Sequence, residues 1–254
     1  MNNTLIKGLK LLELLARSDV PMGVTDLARE LLVPKSNVHS LLQALVVMGY
    51  ARQLPDSRRY CASIRLWELG SAVLAHLDLK RAAQPCMVHL QIQTREAVHL
   101  SILDGDEVVY VHKIDSDEPV RAYSDIGGRA PAHCVATGKA LLAWQSDAAQ
   151  QSRSSRLTQH STRTIVDSAV FLRAMQTIRR QGYAINRGEW RETVGGVAAP
   201  ILGELGQVIA AIGVSGPLSR LGPARMRALA PLVTKAAEQI SEELSPRVAL
   251  VRLW

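Results

Sequence analysis

Six polar residues crowd one short stretch of the chain, Lys35, Ser36, Asn37, His39, Ser40 and Gln43, and each can hydrogen-bond to a phosphate oxygen or a base edge. Between them Val38, Leu41, Leu42, Leu45 and Met48 recur at the three- and four-residue spacing of one helical face. The polar set is therefore the outer surface of an amphipathic helix, and its chemistry is recognition of nucleic acid. A second set lies far down the chain. Pro131, His133, Cys134 and Thr137 occupy a glycine-punctuated loop running into a helix start, where free backbone N–H groups favour a carboxylate. Asn186, Glu189, Trp190 and Arg191 precede the pair Gly195-Gly196, and Ser215 ends a strand beside Gly216-Pro217. These residues are read as the border of a ligand pocket, with a core position for Trp190 and an Arg191 pair with Glu189 or Glu192 as the alternatives.

Bond-making chemistry finds less support. His133 and Cys134 pair a base with a thiol, but neighbours on extended backbone point to opposite faces. His76, His89, His99, His112 and His160 show no spacing to Cys, Asp or Glu that makes a metal site, so neither metal nor cofactor is expected. Cys61, Cys86 and Cys134 are odd in number and widely separated, which fits small buried side chains better than disulfides or a CxxC site. A redox sensor using Cys61 or Cys134, or a thiol-dependent enzyme, stays open as the alternative reading.

The elements that must position these groups can be read from the same pattern. TDLARELLVPKSNVHSLLQALVVMG, from Thr25 to Gly49, predicts a short helix, a tight turn and a longer helix. Thr25 is expected to cap the first helix and to join the DNA-facing set, with Asp26 at the positive end of the dipole. Pro34 suits the first turn of the second helix, and Gly49 suits its left-handed end. Tyr50 to Gln53 and Arg58 to Ser63 predict two strands around Pro55, Asp56 and Ser57, a basic hairpin carrying Arg52, Arg58 and Arg59. From Lys35 to Arg65 the local charge is +4, the excess that phosphate attraction needs. Leu5, Leu9, Leu12 and Leu15 predict an opening helix; Leu66, Leu69, Val73 and Leu77 predict a helical linker.

Beyond the linker, Pro85 to Gln93 reads as a helix and AVHLSILD with EVVYVHKID as a hairpin around Asp104-Gly105. Helices are predicted from near Thr137, at 147–154, at 167–181 and at 222–244, and strands at 194–201 and 207–214. The fold class is α+β, with domains at 1–78 and 79–254. The 254 residues carry a net charge of +7, which suits a polyanionic partner. Ten basic residues against three acids between 129 and 191 mark either an anion-facing region or a solvated helical surface. No apolar run approaches the ~20 residues of a membrane span and no signal peptide is visible, so the expected location is the cytoplasm.

Four strings in order resemble the IclR family of bacterial transcription regulators: VTDLARELLVPKSNVHSLLQALVVMGY, RRYCASIRLWELG, GGRAPAHCVATGKALLA and GGVAAPIL…AIGVSGP. The resemblance implies a winged helix-turn-helix domain, a linker helix and a GAF-like effector-binding domain. It further implies homodimers or homotetramers on double-stranded operator DNA, which by two-fold symmetry is expected to be partly palindromic, and a small organic or aromatic acid that shifts DNA binding. Two positions depart from the family pattern: Ala62-Ser63, where the wing often ends Leu-Gly, and Gly196, where a cysteine is common. Gly196 falls at the expected pocket.

Overall fold

Leu11 and Leu15 lie one turn apart on α1 (Asn3–Arg17) and both are buried. They pack on Leu27 and Ala28 of α2 (Val24–Leu31) and on Val38 and Leu42 of α3 (Lys35–Val47). An antiparallel hairpin, β1 (Ala51–Gln53) and β2 (Tyr60–Ala62), adds Ala51 and Tyr60 to this core. The buried face of α1 differs from the predicted stripe: Leu5 and Leu9 are exposed and Leu12 half-buried. Leucines stand on more than one face of this helix, and packing on α2 and α3 selects Leu11 and Leu15.

The helix ends also depart from expectation. Gly23, not Thr25, is the N-cap of α2, and Thr25 lies exposed inside the first turn. Pro34 is itself the N-cap of α3, with φ −58° and ψ 146°, so the helix starts one residue later. Leu32 closes α2 in the left-handed region at φ 54°, a conformation that favours glycine and that its side chain did not announce. Gly49 takes φ +77° after α3, as its position predicts.

This computed structural model describes residues 3–75, 79–122 and 124–244, in two compact units, 1–77 and 78–254. The linker helix, α4 (Arg65–Ala75), follows the hairpin. Leu66 on it is half-buried and Leu69 exposed, while the side chain of Val73 and all of Leu77 lie outside the described residues.

The second unit is built on a six-stranded sheet, antiparallel throughout, in the order β5-β4-β3-β8-β7-β6. The strands are β3 (Ala97–Asp104), β4 (Glu107–Ile114), β5 (Arg129–Pro131), β6 (Ala184–Arg187), β7 (Val194–Leu202) and β8 (Val208–Pro217). Asp104 pairs with Glu107 across a two-residue turn in which Gly105 has φ +59°, the predicted hairpin. The edge strands β5 and β6 were not expected, being short and bounded by Pro131 and Gly188, where no alternating run shows.

α5 (Leu79–Thr94) and α9 (Pro223–Leu244) pack on each other and on the sheet. α5 begins ahead of the predicted Pro85 and holds that proline in its interior. Burial of Leu79, Ala82, Ala83, Met87 and Leu90 along one face offsets the lost hydrogen bond. A separate core joins α6 (Ala136–Ala143) and α8 (Ser168–Gln181) to the sheet through Leu141, Phe171, Met175, Ala198 and Ala211. α7 (Asp147–Ser154) packs on α8, and Ser146 and Asp167 cap α7 and α8 by accepting from Ala149 N–H and Val170 N–H. A 3-10 turn, Ala132–Cys134, lies across the start of α6. Gly138 permits that crossing, since a Cβ there would stand 2.2 Å from the Ala132 carbonyl oxygen. No helix among the described residues is long and apolar enough to cross a membrane.

Candidate nucleic-acid interface and ligand pocket

Amphipathicity fixes what α3 presents to solvent. Val38 and Leu42 face the core, so Lys35, Ser36, Asn37, His39, Ser40 and Gln43 are all exposed. Among the described residues none of these six side chains is held by a hydrogen bond or ion pair, and their donors and acceptors are available to an incoming partner. The hairpin supplies guanidinium groups beside them. Arg58 sits at its turn with φ 53°, its carbonyl accepting from Gln53 Nε2 at 3.1 Å. Arg52 Nε donates to Cys61 Sγ at 3.2 Å, and Arg59 donates to the Pro21 carbonyl at 3.1 Å beside Asp26. Arg52 and Arg59 are thus tethered along the hairpin, while Arg58 marks its tip.

The second unit contains a pocket of about 50 Å³. Thr137, Asn186, Trp190, Gly196 and Ser215 of the expected set line it, together with Arg191. Val135, Ala136 and Thr137 bring the N-terminus of α6 to its wall, where the first backbone N–H groups have no intrahelical acceptor. Gly196 opens the space between Ser215 and Ala136: a Cβ there would meet the Val214 carbonyl at 2.9 Å and those side chains at 3.5 and 3.7 Å. A cysteine at this position, common in the resembling sequences, would fill that space. Arg191 is the single formally charged residue among the described lining groups, and its guanidinium stacks 4.6 Å from the Trp190 ring.

His99, Tyr110 and Ser124 also line the cavity and were not foreseen. The histidine bridges two hydroxyls, Ser124 Oγ at 2.6 Å from Nε2 and Ser215 Oγ at 3.2 Å from Nδ1. Burial, reinforced by the Lys113 charge and opposed by Asp115, lowers its pKa to about 4, so the ring is neutral at pH 7. Burial likewise pushes the Tyr110 hydroxyl up to about 12. AVHLSILD carries no local signal for His99, because Ala97 to Ser101 are buried on both faces of the strand and a lone histidine there looks like core.

Pro131, His133, Cys134 and Glu189 do not line this cavity. Glu189 is buried in an ion pair, both carboxylate oxygens accepting from Lys139 Nζ at 2.5 and 2.6 Å. Pro131 and His133 border another cleft, and His133 Nε2 donates to the Thr158 carbonyl at 2.9 Å. The expectation that His133 and Cys134 point to opposite faces fails because the 3-10 turn replaces extended backbone there. Burial, with Glu189 adding to it, raises the Cys134 thiol to about 12, which leaves little thiolate for nucleophilic or redox chemistry. Four of the ten basic residues from 129 to 191 stand in ion pairs: Arg129 with Asp104 and Glu107, Lys139 with Glu189, and Arg153 and Arg156 with Asp106.

An exposed polar recognition helix with a basic wing, followed by a unit enclosing a small-molecule cavity, defines the class of ligand-binding transcription regulators. Residues 4–55 match the IclR helix-turn-helix domain and residues 71–242 the bacterial transcriptional regulator IclR C-terminal domain. The chain belongs to the IclR family. It is 36% identical over 225 residues to the HTH-type transcriptional regulator KdgR of Escherichia coli K12, covering 88% of this chain and 86% of that one. It is 29% identical to the transcriptional repressor IclR of the same organism, covering 94% and 88%. An IclR homolog from Microbacterium hydrocarbonoxydans, solved in complex with 4-hydroxybenzoate, superposes with a TM-score of 0.84 at 26% identity, covering 95% and 99%. These relatives are named as regulators, not enzymes, and the chain is a DNA-binding transcription regulator with a ligand-binding C-terminal domain.

Proposed function

We propose that residues 1–78 bind a palindromic operator as part of a symmetric dimer or tetramer, and that a small organic or aromatic acid bound within residues 79–254 shifts that binding. The location this implies is the cytoplasm. The observation that carries the effector class is that the α6 N-terminus, Thr137 and Ser215 line one cavity together with Trp190 and Tyr110. Backbone N–H groups and hydroxyls suit a carboxylate, and the rings suit an apolar or aromatic body. The 4-hydroxybenzoate bound by the Microbacterium protein is a molecule of that class. The effector acts by binding one arrangement of the oligomer better than another, and a coupling of about 1–3 kcal/mol changes operator affinity between several-fold and about a hundredfold.

On the DNA side, Lys35 and the wing arginines neutralise phosphates, while Ser36, Asn37, His39, Ser40 and Gln43 reach base edges. Lys35→Ala is expected to weaken binding to every DNA and to reduce the salt slope by about one. Asn37→Ala is expected to cost about 1–3 kcal/mol on the operator and little on random DNA. Anisotropy titrations at several salt concentrations check both, and equal losses on all sequences would contradict the division of roles. Ser215→Ala tests the pocket. It is expected to weaken the response to the acid while leaving ligand-free operator binding unchanged, and loss of ligand-free binding would make Ser215 a structural residue instead.

A further inference from the structure

His133, Cys134 and His160 each bring one ligand-capable atom into a common space, all three within 4.8 Å of one another. The sequence spacing gives no hint of this, because the third residue arrives from a distant loop. The two imidazole rings are 5.8 Å apart between centroids, and Thr158 orients both. Its carbonyl accepts from His133 Nε2, and its hydroxyl meets His160 Nε2, each at 2.9 Å. A neutral histidine donating through Nε2 presents its lone pair at Nδ1, and metal-binding imidazoles are set by outer hydrogen bonds of this kind.

The surroundings leave these three as the donor set. His133 and His160 line a cleft of about 240 Å³ that also touches Asp106 and Glu107. Both carboxylates are already engaged, Asp106 with Arg153 at 2.8 Å and Arg156 at 3.4 Å, and Glu107 with Arg129 at 2.6 Å. His133 and Cys134 are buried, whereas His160 is exposed.

We propose that His133, Cys134 and His160 form a binding site for a zinc-class divalent cation, with its fourth coordination position open to the cleft. Two imidazoles and one thiolate are a borderline-soft set, which selects zinc-class ions over magnesium or calcium. Metal–nitrogen and metal–sulfur bonds of about 2.0–2.3 Å bring tetrahedral donors closer than the distances seen here, so the set must contract by about 1 Å. His160, exposed on its loop, supplies that movement, while His133 and Cys134 stay fixed in the 3-10 turn packed against Gly138. On binding, the Cys134 S–H bond breaks, the proton passes to solvent, and Sγ donates its electron pair to the metal, whose oxidation state is unchanged. Arg153 and Arg156 also line the cleft, both paired with Asp106. The site shares no residue with the effector cavity, though Val135, directly after Cys134, lines that cavity.

The test is a cobalt titration of the full-length protein after chelator treatment, followed by zinc. A near-ultraviolet thiolate-to-cobalt charge-transfer band is expected to grow until one cobalt is bound per chain, and zinc is expected to erase it. Cys134→Ser should abolish the band. His160→Ala, a change at an exposed position that leaves the fold intact by circular dichroism, should weaken cobalt affinity by about tenfold or more. No charge-transfer band in the parent protein overturns the site. So does a band that persists in Cys134→Ser, or an unchanged affinity in His160→Ala.

Discussion

Replacing Lys139 by methionine is expected to destabilise the second unit by about 3–5 kcal/mol, because it strands a carboxylate in the interior. Lys139 and Glu189 have side chains only 5% and 8% exposed, and their mutual contacts of 2.5 and 2.6 Å offset the cost of removing both charges from water. Remove the ammonium, and Glu189 keeps only weaker partners such as the Arg187 N–H at 3.3 Å. The double variant Lys139→Met with Glu189→Leu should recover most of the loss, since an apolar replacement of both partners avoids the desolvation penalty. Urea unfolding followed by tryptophan fluorescence reads the difference, and a loss below about 1 kcal/mol for Lys139→Met would mean that the pair behaves like a solvated one. The effect bears on function. Glu189 lies beside Trp190 and Arg191 of the cavity wall, and Asn186 Oδ1 accepts from the Gly188 and Glu189 N–H groups. The buried pair anchors the loop that shapes the pocket.

Acidification should destabilise the same unit through His99. Its folded pKa of about 4 lies below the ordinary 6.5, so between these values the unfolded chain binds a proton that the folded chain excludes. Stability therefore rises with pH across this window, is fully present above pH 6.5, and falls by about 3 kcal/mol for this group as the pH drops to 4. Burial also lowers the pKa values of His112 and His133, which act in the same direction. Carboxylates titrate in this range too, so the informative quantity is the difference between the parent and His99→Gln. The parent should lose more stability than the variant between pH 6.5 and 4, and parallel curves would contradict the assignment of a buried neutral ring to His99.

Much of the architecture was legible because local rules and tertiary packing agree. Gly49 follows α3 with positive φ, Asp104 and Gly105 turn the hairpin, and Asp167 caps α8 where the spacing predicts a helix start. The failures occur where packing decides between local options. Leu5 and Leu9 have the periodicity of Leu11 and Leu15, yet only the latter pair faces α2 and α3. Pro85 reads as a helix start, but the buried face from Leu79 to Leu90 carries the helix through it. Leu32 adopts a left-handed conformation without glycine because Val33 N–H and its own N–H reach back to the carbonyls of Ala28 and Arg29.

The polar constellations divide in the same way. The surface of α3 was readable from one helical period, since exposure is simply what the apolar stripe leaves over. The cavity was only partly readable, because it is assembled from β3, β4, α6, β6, β7 and β8, and no spacing along the chain encodes those approaches. Glycine and serine positions at 196 and 215 pointed to it; His99 and Tyr110 did not, for a lone histidine or tyrosine in a buried strand looks like core. Glu189 had the right neighbours in sequence but turns toward Lys139, which no local pattern indicates.

The proposed function requires ligand occupancy in the second unit to control DNA affinity in the first. Its most direct test is fluorescence-anisotropy binding of the full-length protein to DNA upstream of its own and neighbouring genes, repeated with a series of small aliphatic and aromatic acids. The prediction is tight, salt-sensitive binding to one upstream sequence over random DNA, shifted several-fold or more by one acid and not by its uncharged amide. Equal affinity for upstream and random DNA, or an operator affinity that no acid changes, would contradict it.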